Sequence, residues 1–294
     1  MARVIVIVGP TGVGKTKLSV ELAKKLNGEI INADSMQIYK GLDIGTAKIL
    51  EEEKEGIKHH LFDIKEVEEE YSIYHYQKDA RNILDELLKQ NKTPIIVGGT
   101  GLYVKALLYD YKLTQSNVNF SFDDLTNEQL QELLIKLDSE VKIDMNNRRR
   151  VIRAINYYLA NNSSISNNVT DKLLYDAVFI GLKCDRELLY EKINNRVDKM
   201  INDGLLDEVR KFYDNKVMAK PLINGIGYKE LYEYFDNKLS LEDAIKNIKQ
   251  NSRRYAKRQL TFFRNKLDVK WFDTNYNDFN KTVSEVYNYI KEGE

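Results

Sequence analysis

Apolar residues along this chain recur in two rhythms. Val4-Ile5-Val6-Ile7-Val8 is an unbroken run ending at Gly9-Pro10, the pattern of a strand buried on both faces. From Lys15 to about Leu26 the spacing becomes helical and stops at Asn27-Gly28, where a left-handed cap costs little. Glu29–Ala33 predicts a second strand and Tyr74 to Gln90 a helix. Pro94–Val97 predicts a third strand running into Gly98-Gly99, and Ala177–Leu182 another. Strands alternating with helices imply a parallel sheet covered on both sides. The stretch 112–174 breaks the alternation. Polar turns at Gln115–Asn119 and Asn161–Asn168 separate helix-period segments, Phe120–Phe122 is too short to classify, and no buried strand stands out. From Arg186 onward the pattern is almost wholly helical. The expected fold is α/β: a core of residues 1–111 plus 175–294 with a helical C-terminal region, and a small helical insertion at 112–174.

Composition narrows the setting. With 43% hydrophobic residues the chain can bury a sizeable core. No apolar run reaches the roughly 18 residues of a membrane span, and the run at Val4–Val8 is too short for a signal-peptide core. Cys184 is the single cysteine, which excludes an internal disulfide and a cysteine-based zinc site. A cytoplasmic protein is expected, with nothing that demands more than a monomer. The formal net charge is +0, but its distribution is uneven. Lys246–Lys266 holds eight Lys or Arg and no acid, and Arg148, Arg149, Arg150 and Arg153 fall within six positions. Such local asymmetry suits a nucleic-acid partner better than the net charge does.

Gly9-Pro10-Thr11-Gly12-Val13-Gly14-Lys15-Thr16 fits G-x-x-x-x-G-K-[ST], between a buried strand and a helix start. Its glycines let backbone amides face a phosphate, the helix N-terminus adds partial positive charge, Lys15 a full charge, and the Thr16 hydroxyl a ligand for Mg²⁺. The expected fold is therefore P-loop NTPase-like, with a di- or triphosphate ligand. ATP-splitting members of that fold end a strand in a metal-holding acid. Here Ile95-Ile96-Val97 ends in Gly98-Gly99-Thr100, which weighs against ATP hydrolysis.

Asp34 follows the second strand directly and should reach the carboxyl edge of the sheet beside the phosphate loop. It could accept a hydrogen bond from a nucleophile, support a metal from its second coordination sphere, or hold a turn. Thr100 should reach the same edge, with helix capping as its simplest use. His59 and His60, adjacent in an extended segment, point to opposite faces and do not suggest a shared metal; His75 reads as an ordinary helix residue.

The chain resembles the tRNA dimethylallyltransferases, also called tRNA isopentenyltransferases. The resemblance rests on Gly9–Thr16, Ile31–Tyr39, Gly41–Lys48, His59–Ile64, Tyr71-Ser72, Val97–Leu108, Arg150–Ile155, Asn224–Leu231, Arg253–Phe263 and Trp271-Phe272-Asp273, in that order along the chain. It implies that Gly9, Thr11, Gly12, Val13, Gly14, Lys15 and Thr16 hold the diphosphate of dimethylallyl diphosphate with Mg²⁺. It implies Asp34 as the general base toward an adenine amino group and Thr100 as a hydroxyl partner near the reacting centre. Arg196, by periodicity a solvated helix residue, becomes the group that grips the departing diphosphate. Asp34, Ser35, Met36, Gln37 and Thr100 would touch tRNA, as would Arg149, Arg150, Arg153, Asn224, Gly225, Gly227, Tyr228 and Lys229. The basic segment, with Arg253 and Lys257, fits backbone docking of an anticodon stem-loop. The implied reaction moves the dimethylallyl group to N6 of the adenine 3′ to the anticodon. The alternatives are an adenylate prenyltransferase, which needs no basic docking surface, a P-loop small-molecule kinase, which the missing acid disfavours, and a nucleic-acid-binding module with a relict phosphate loop.

Overall fold

The apolar start of the chain forms β1 (Val4–Val8), buried at every position. In the computed structural model, which describes residues 3–113 and 120–293, α1 (Lys15–Leu26) follows and ends on Asn27 at φ 50°, the left-handed cap expected there. β2 (Gly28–Asn32) begins at the next residue. A long excursion carries the two-residue strand β3 (His59–His60). α2 (Ile73–Lys89) opens on a capping box between Ser72 and His75, so the His75 ring is used in helix initiation. β4 (Thr93–Val97) then leads through Gly98-Gly99 to α3 (Gly101–Leu108).

Residues 105–175 form a compact unit of their own, and residues 1–104 with 176–294 form the other. The smaller unit starts inside α3, where an unbroken helical pattern hides any boundary. It contains β5 (Tyr109–Tyr111), α4 (Asn127–Leu137), α5 (Arg148–Asn161) and β6 (Val169–Leu173). Leu130 and Leu134 of α4 pack with Val151, Ala154 and Ile155 of α5. The unit also contains an antiparallel ladder, Tyr109 opposite Leu173 and Tyr111 opposite Val169. Helices dominate this unit as expected, and the ladder adds two short strands the sequence did not reveal: Tyr109–Tyr111 has only three residues, and Val169–Leu173 does not alternate apolar with polar positions. The turn expected at Gln115–Asn119 lies outside the described residues.

The larger unit resumes with β7 (Ala177–Lys183), α6 (Arg186–Asn202), α7 (Leu205–Asp214), α8 (Lys220–Asn224), α9 (Tyr228–Phe235), α10 (Leu241–Lys266), β8 (Lys270–Asp273) and α11 (Phe279–Glu292). Its sheet has the order β3-β2-β4-β1-β7-β8 and is parallel throughout. The C-terminal region is thus not wholly helical. Four residues between two helices, Lys270 to Asp273, add an edge strand in register with Ile180–Lys183. A Cβ at Gly181 would stand 2.5 Å from the Trp271 ring, so glycine there lets β8 approach.

Ile5, Ile7, Ile95, Ile180 and Leu182 of the strands pack with Leu18 and Leu22 of α1 and Val286 and Ile290 of α11. Each such side chain taken fully out of water contributes about 1.5–3 kcal/mol. This core fixes the carboxyl ends of β1, β2 and β4 side by side, the crevice where open α/β sheets bind ligands. No helix among the described residues is long and apolar enough to cross a membrane.

Candidate active site

The loop after β1 is bent by glycines in conformations that side chains disfavour: φ is 88° at Gly12 and 89° at Gly14. α1 starts at Lys15 with no side-chain cap, which leaves its first amides to meet an anion. Lys15 Nζ donates to the Pro10 carbonyl at 2.7 Å, folding the side chain back over the loop.

Asp34 stands just past β2. Its Oδ1 accepts from the Met36 amide at 2.9 Å, and its own amide donates to Asn32 Oδ1 at 2.9 Å. The turn reading is therefore realised by one carboxylate oxygen, while the residue still lines the cavity beside Lys15. Thr100 precedes α3 and its carbonyl accepts from the Tyr103 amide, but its hydroxyl does not cap the helix. It accepts from the Ser35 amide at 3.1 Å and lies 3.3 Å from the Ser35 hydroxyl, tying the end of β4 to the Asp34 turn.

Arg196 projects from α6 and donates to the Thr46 carbonyl at 3.1 Å. The segment around Thr46 is held from several sides. Glu208 of α7, a buried carboxylate, accepts from the amides of Asp43, Ile44 and Gly45 at 3.0, 2.7 and 3.1 Å and from the Tyr228 hydroxyl at 2.7 Å. Gln37 Nε2 also donates to the Thr46 carbonyl, at 3.1 Å. Ala47 is held at φ 44°, a left-handed conformation that costs a non-glycine residue roughly 1–2 kcal/mol.

These pieces enclose one cavity of about 400 Å³. Lys15, Thr16, Asp34 and Arg196 line it, with Ile193, Val197 and Ile248 as apolar wall. Loss of water around the Lys15 ammonium, then the Arg196 charge, lower its pKa to about 7; Asp34 opposes the shift. Burial also lowers Arg196, again against Asp34. Burial and then Asp34 push the Tyr255 hydroxyl up to about 12. Lys15 and Arg196 beside the Asp34 carboxylate, in a chamber with an apolar wall, suit a reaction in which an anionic group departs and a proton is taken up nearby.

The end of β4 explains the missing acid. A Cβ at Gly98 would stand 2.2 Å from the Ala33 backbone, and one at Gly99 2.1 Å from Gln259 Nε2. Gln259 of α10 occupies that space, donating to the Gly99 carbonyl at 3.0 Å and accepting from the Thr11 amide at 3.2 Å.

A family model described as IPP transferase matches residues 37–266. The chain belongs to that family. It is 49% identical to the tRNA dimethylallyltransferase of Anoxybacillus flavithermus over 299 residues, 98% of this chain and 96% of the relative. It is 48% identical to that of Geobacillus thermodenitrificans over 302 residues, again 98% and 96%. The crystal structure of the full-length tRNA isopentenylpyrophosphate transferase of Bacillus halodurans superposes with TM-score 0.79 at 43% identity, covering 99% of this chain and 96% of that one. A eukaryotic dimethylallyltransferase, solved acting on tRNA, gives TM-score 0.85 at 30% identity, covering 99% and 80%. The fold is P-loop NTPase-like and the protein is a transferase.

Within this family member the residues singled out in the sequence fall into several groups. Thr11, Lys15, Thr16, Asp34, Ser35, Met36, Gln37, Arg196, Asn224, Gly225, Gly227 and Tyr228 all line the cavity. Gly9, Gly12, Val13 and Gly14 shape the loop behind it, and Thr100 supports it from outside. Lys229 turns to Glu230 at 3.7 Å. Lys249 pairs with Asp198 at 2.6 Å, and Arg253 donates to Asn194 at 2.5 Å over the Tyr190 ring, so part of the basic run bonds α10 to α6. Lys257 remains exposed. In the smaller unit Arg148 donates to the Phe122 and Leu125 carbonyls, each at 2.8 Å, whereas Arg149, Arg150 and Arg153 are exposed on α5. His59 and His60 diverge, one to the Ile57 carbonyl and one to Glu29.

Sequence reasoning missed Gln259, Tyr255 and Arg258 as cavity residues. Their recurrence at i, i+3 and i+4 within the basic run was the available signal. It also missed Glu208, which looks like a first-turn helix acid and carries no signal of its loop partners.

Among the described residues no three acids, histidines or cysteines gather as a metal cage. Thr16 lines the cavity, and Mg²⁺ is commonly held by few protein ligands together with substrate phosphates and water.

Proposed function

We propose that this chain transfers the dimethylallyl group of dimethylallyl diphosphate to N6 of the adenine 3′ to the anticodon in tRNA, releasing diphosphate. The observation that carries this reading is the convergence of Lys15, Arg196 and Asp34 on one apolar-walled cavity at a sheet end where glycines stand in place of an ATPase acid. An adenine amino group is a weak nucleophile, because its lone pair is delocalised into the ring. Its attack on the allylic carbon forms the C–N bond while the C–O bond breaks and its electron pair leaves with the diphosphate. Lys15, Arg196 and the loop amides stabilise that charge as it develops. Asp34 accepts the N6 proton. Thr16 would ligate Mg²⁺, which adds further neutralisation of the leaving group. Thr100 keeps the Asp34 turn in place. Ile193, Val197 and Ile248 exclude water from an allylic centre that would otherwise hydrolyse.

The target base must leave its stack, at about a few kcal/mol in a single-stranded loop. Asn224–Tyr228 at the cavity wall would meet it. The exposed Lys257 on α10 and Arg149, Arg150 and Arg153 on α5 would hold the tRNA backbone, with residues 112–174 as a tRNA-contacting insertion. We place the enzyme in the cytoplasm, acting as a monomer.

The test uses purified protein, dimethylallyl diphosphate, Mg²⁺ and bulk unmodified tRNA, with AMP and ATP in parallel reactions, followed by nucleoside mass analysis. Prenyl-adenosine in tRNA alone is expected. Product from AMP but not tRNA would make the enzyme an adenylate prenyltransferase. ATP turnover without prenyl product would return the loop to a kinase or NTPase role.

A further inference from the structure

The phosphate loop is braced from behind by a segment far along the chain. At the end of β8, the Thr274 hydroxyl donates to the Val13 carbonyl at 3.0 Å in a buried setting. The Tyr276 hydroxyl lies 3.2 Å from the Gly12 carbonyl, which it can donate to, and 3.5 Å from Cys184 Sγ. The Phe279 ring closes on Gly14, where a Cβ would stand 2.7 Å from ring carbon Cε2. The segment is itself fixed. The Thr274 amide donates to the Lys183 carbonyl at 2.9 Å, the Asn275 amide to the Thr282 hydroxyl at 2.9 Å, and Asn275 Oδ1 accepts from the Asn277 and Asp278 amides.

A trans peptide is planar, with its carbonyl and amide pointing in opposite directions. Holding the Gly12 carbonyl therefore aims the Val13 amide, and holding the Val13 carbonyl aims the Gly14 amide, both away from residues 274–276. With φ near 90° at Gly12 and Gly14, glycine alone would leave these peptides free to rotate. We infer that Thr274 and Tyr276 are positioning residues that preset the loop amides for the diphosphate. Neither touches substrate; each acts through a loop carbonyl. This rests on the prenyl-diphosphate reading for the identity of the ligand, but not for the brace itself.

The test compares Thr274→Val, Thr274→Ser and Tyr276→Phe with the parent in two assays: calorimetric binding of inorganic diphosphate with Mg²⁺, and steady-state prenylation of tRNA. Thr274→Val and Tyr276→Phe should each weaken diphosphate binding and raise KM for dimethylallyl diphosphate about three- to tenfold, the worth of one hydrogen bond. KM for tRNA should stay within about twofold, while kcat should fall together with diphosphate affinity, since the same amides stabilise the charge that develops on the leaving diphosphate. Thr274→Ser, which keeps the hydroxyl, should recover most of the binding. Unchanged diphosphate affinity in folded variants overturns the inference, as does a fall in kcat at constant KM. If Thr274→Val does not fold, Tyr276→Phe, at a part-buried bond, decides the question. A parent that binds diphosphate but does not prenylate tRNA sinks the functional reading alone.

Discussion

The Arg196 guanidinium and the Thr46 carbonyl meet at 3.1 Å, and the segment that presents Thr46 is anchored by Glu208 through three successive amides. A half-buried cation near Lys15 has its direction set by a backbone oxygen, whose own place is set by a carboxylate on another helix. Glu208→Gln keeps the shape but turns one acceptor into a donor facing N–H groups. We expect it to lower stability by about 1.5–3 kcal/mol, the range for hydrogen bonds to a charged group, measured by urea unfolding. KM for dimethylallyl diphosphate should rise with it.

Asp34→Asn separates turn from base. An amide oxygen can still accept from Met36, so the fold should survive. Removing the proton acceptor should cut kcat about 10²- to 10⁴-fold, while tRNA affinity measured by filter binding stays close to the parent's. Turnover near the parent's would remove Asp34 from the chemistry.

Lys15 makes diphosphate binding pH-dependent. Burial and Arg196 hold its pKa at about 7, and a bound diphosphate favours the ammonium and raises it. Below pH 7 the group is already charged and contributes no slope. Above pH 7, up to the raised value, binding takes up a proton and affinity falls as pH rises. Calorimetry in two buffers of different ionisation heat measures that uptake. Lys15→Met should abolish it, which separates the enzyme's proton from the ligand's.

Gly99→Asp would supply the acid that ATP-splitting relatives of this fold carry. With Gln259 Nε2 2.1 Å from the Cβ position, overpacking should cost about 1–3 kcal/mol and release the Thr11 amide. Thermal unfolding should show the loss, and ATPase assays should show no gain.

On α10, Lys246 and Lys257 are exposed, while Lys249 and Arg253 are engaged with α6. Lys246→Ala with Lys257→Ala should flatten the log–log salt dependence of tRNA binding by about 1–2, near 0.7–0.9 per phosphate contact. Arg253→Ala should appear in unfolding curves more than in the salt slope.

What could be read from the sequence was whatever lies close together along it. The buried run before Gly9, the phosphate loop and the place of Asp34 at a strand end are local patterns, and the structure keeps them. Arg196 was legible only through family resemblance, because its defining partner is 150 positions away. The basic run Lys246–Lys266 holds no acid of its own but meets Asp198 across the α6 contact, which no one-dimensional charge count contains. Arg148 is indistinguishable in sequence from Arg149, yet the former ties two loop carbonyls and the latter faces solvent. β8 was hidden because a strand of four residues between helices has no period to show.

Thr274 and the loop carbonyl it holds are separated by 261 positions. On a ribosome adding about 5–20 residues per second, the loop leaves the tunnel roughly a quarter to a full minute before its brace. Throughout that interval the nascent chain has the glycines, the lysine and the first helix of a phosphate site, but not the hydroxyls that set the direction of its amides. Competence to bind the diphosphate is thus a late event in the life of each molecule, and partly made chains should compete poorly for the cell's prenyl donor.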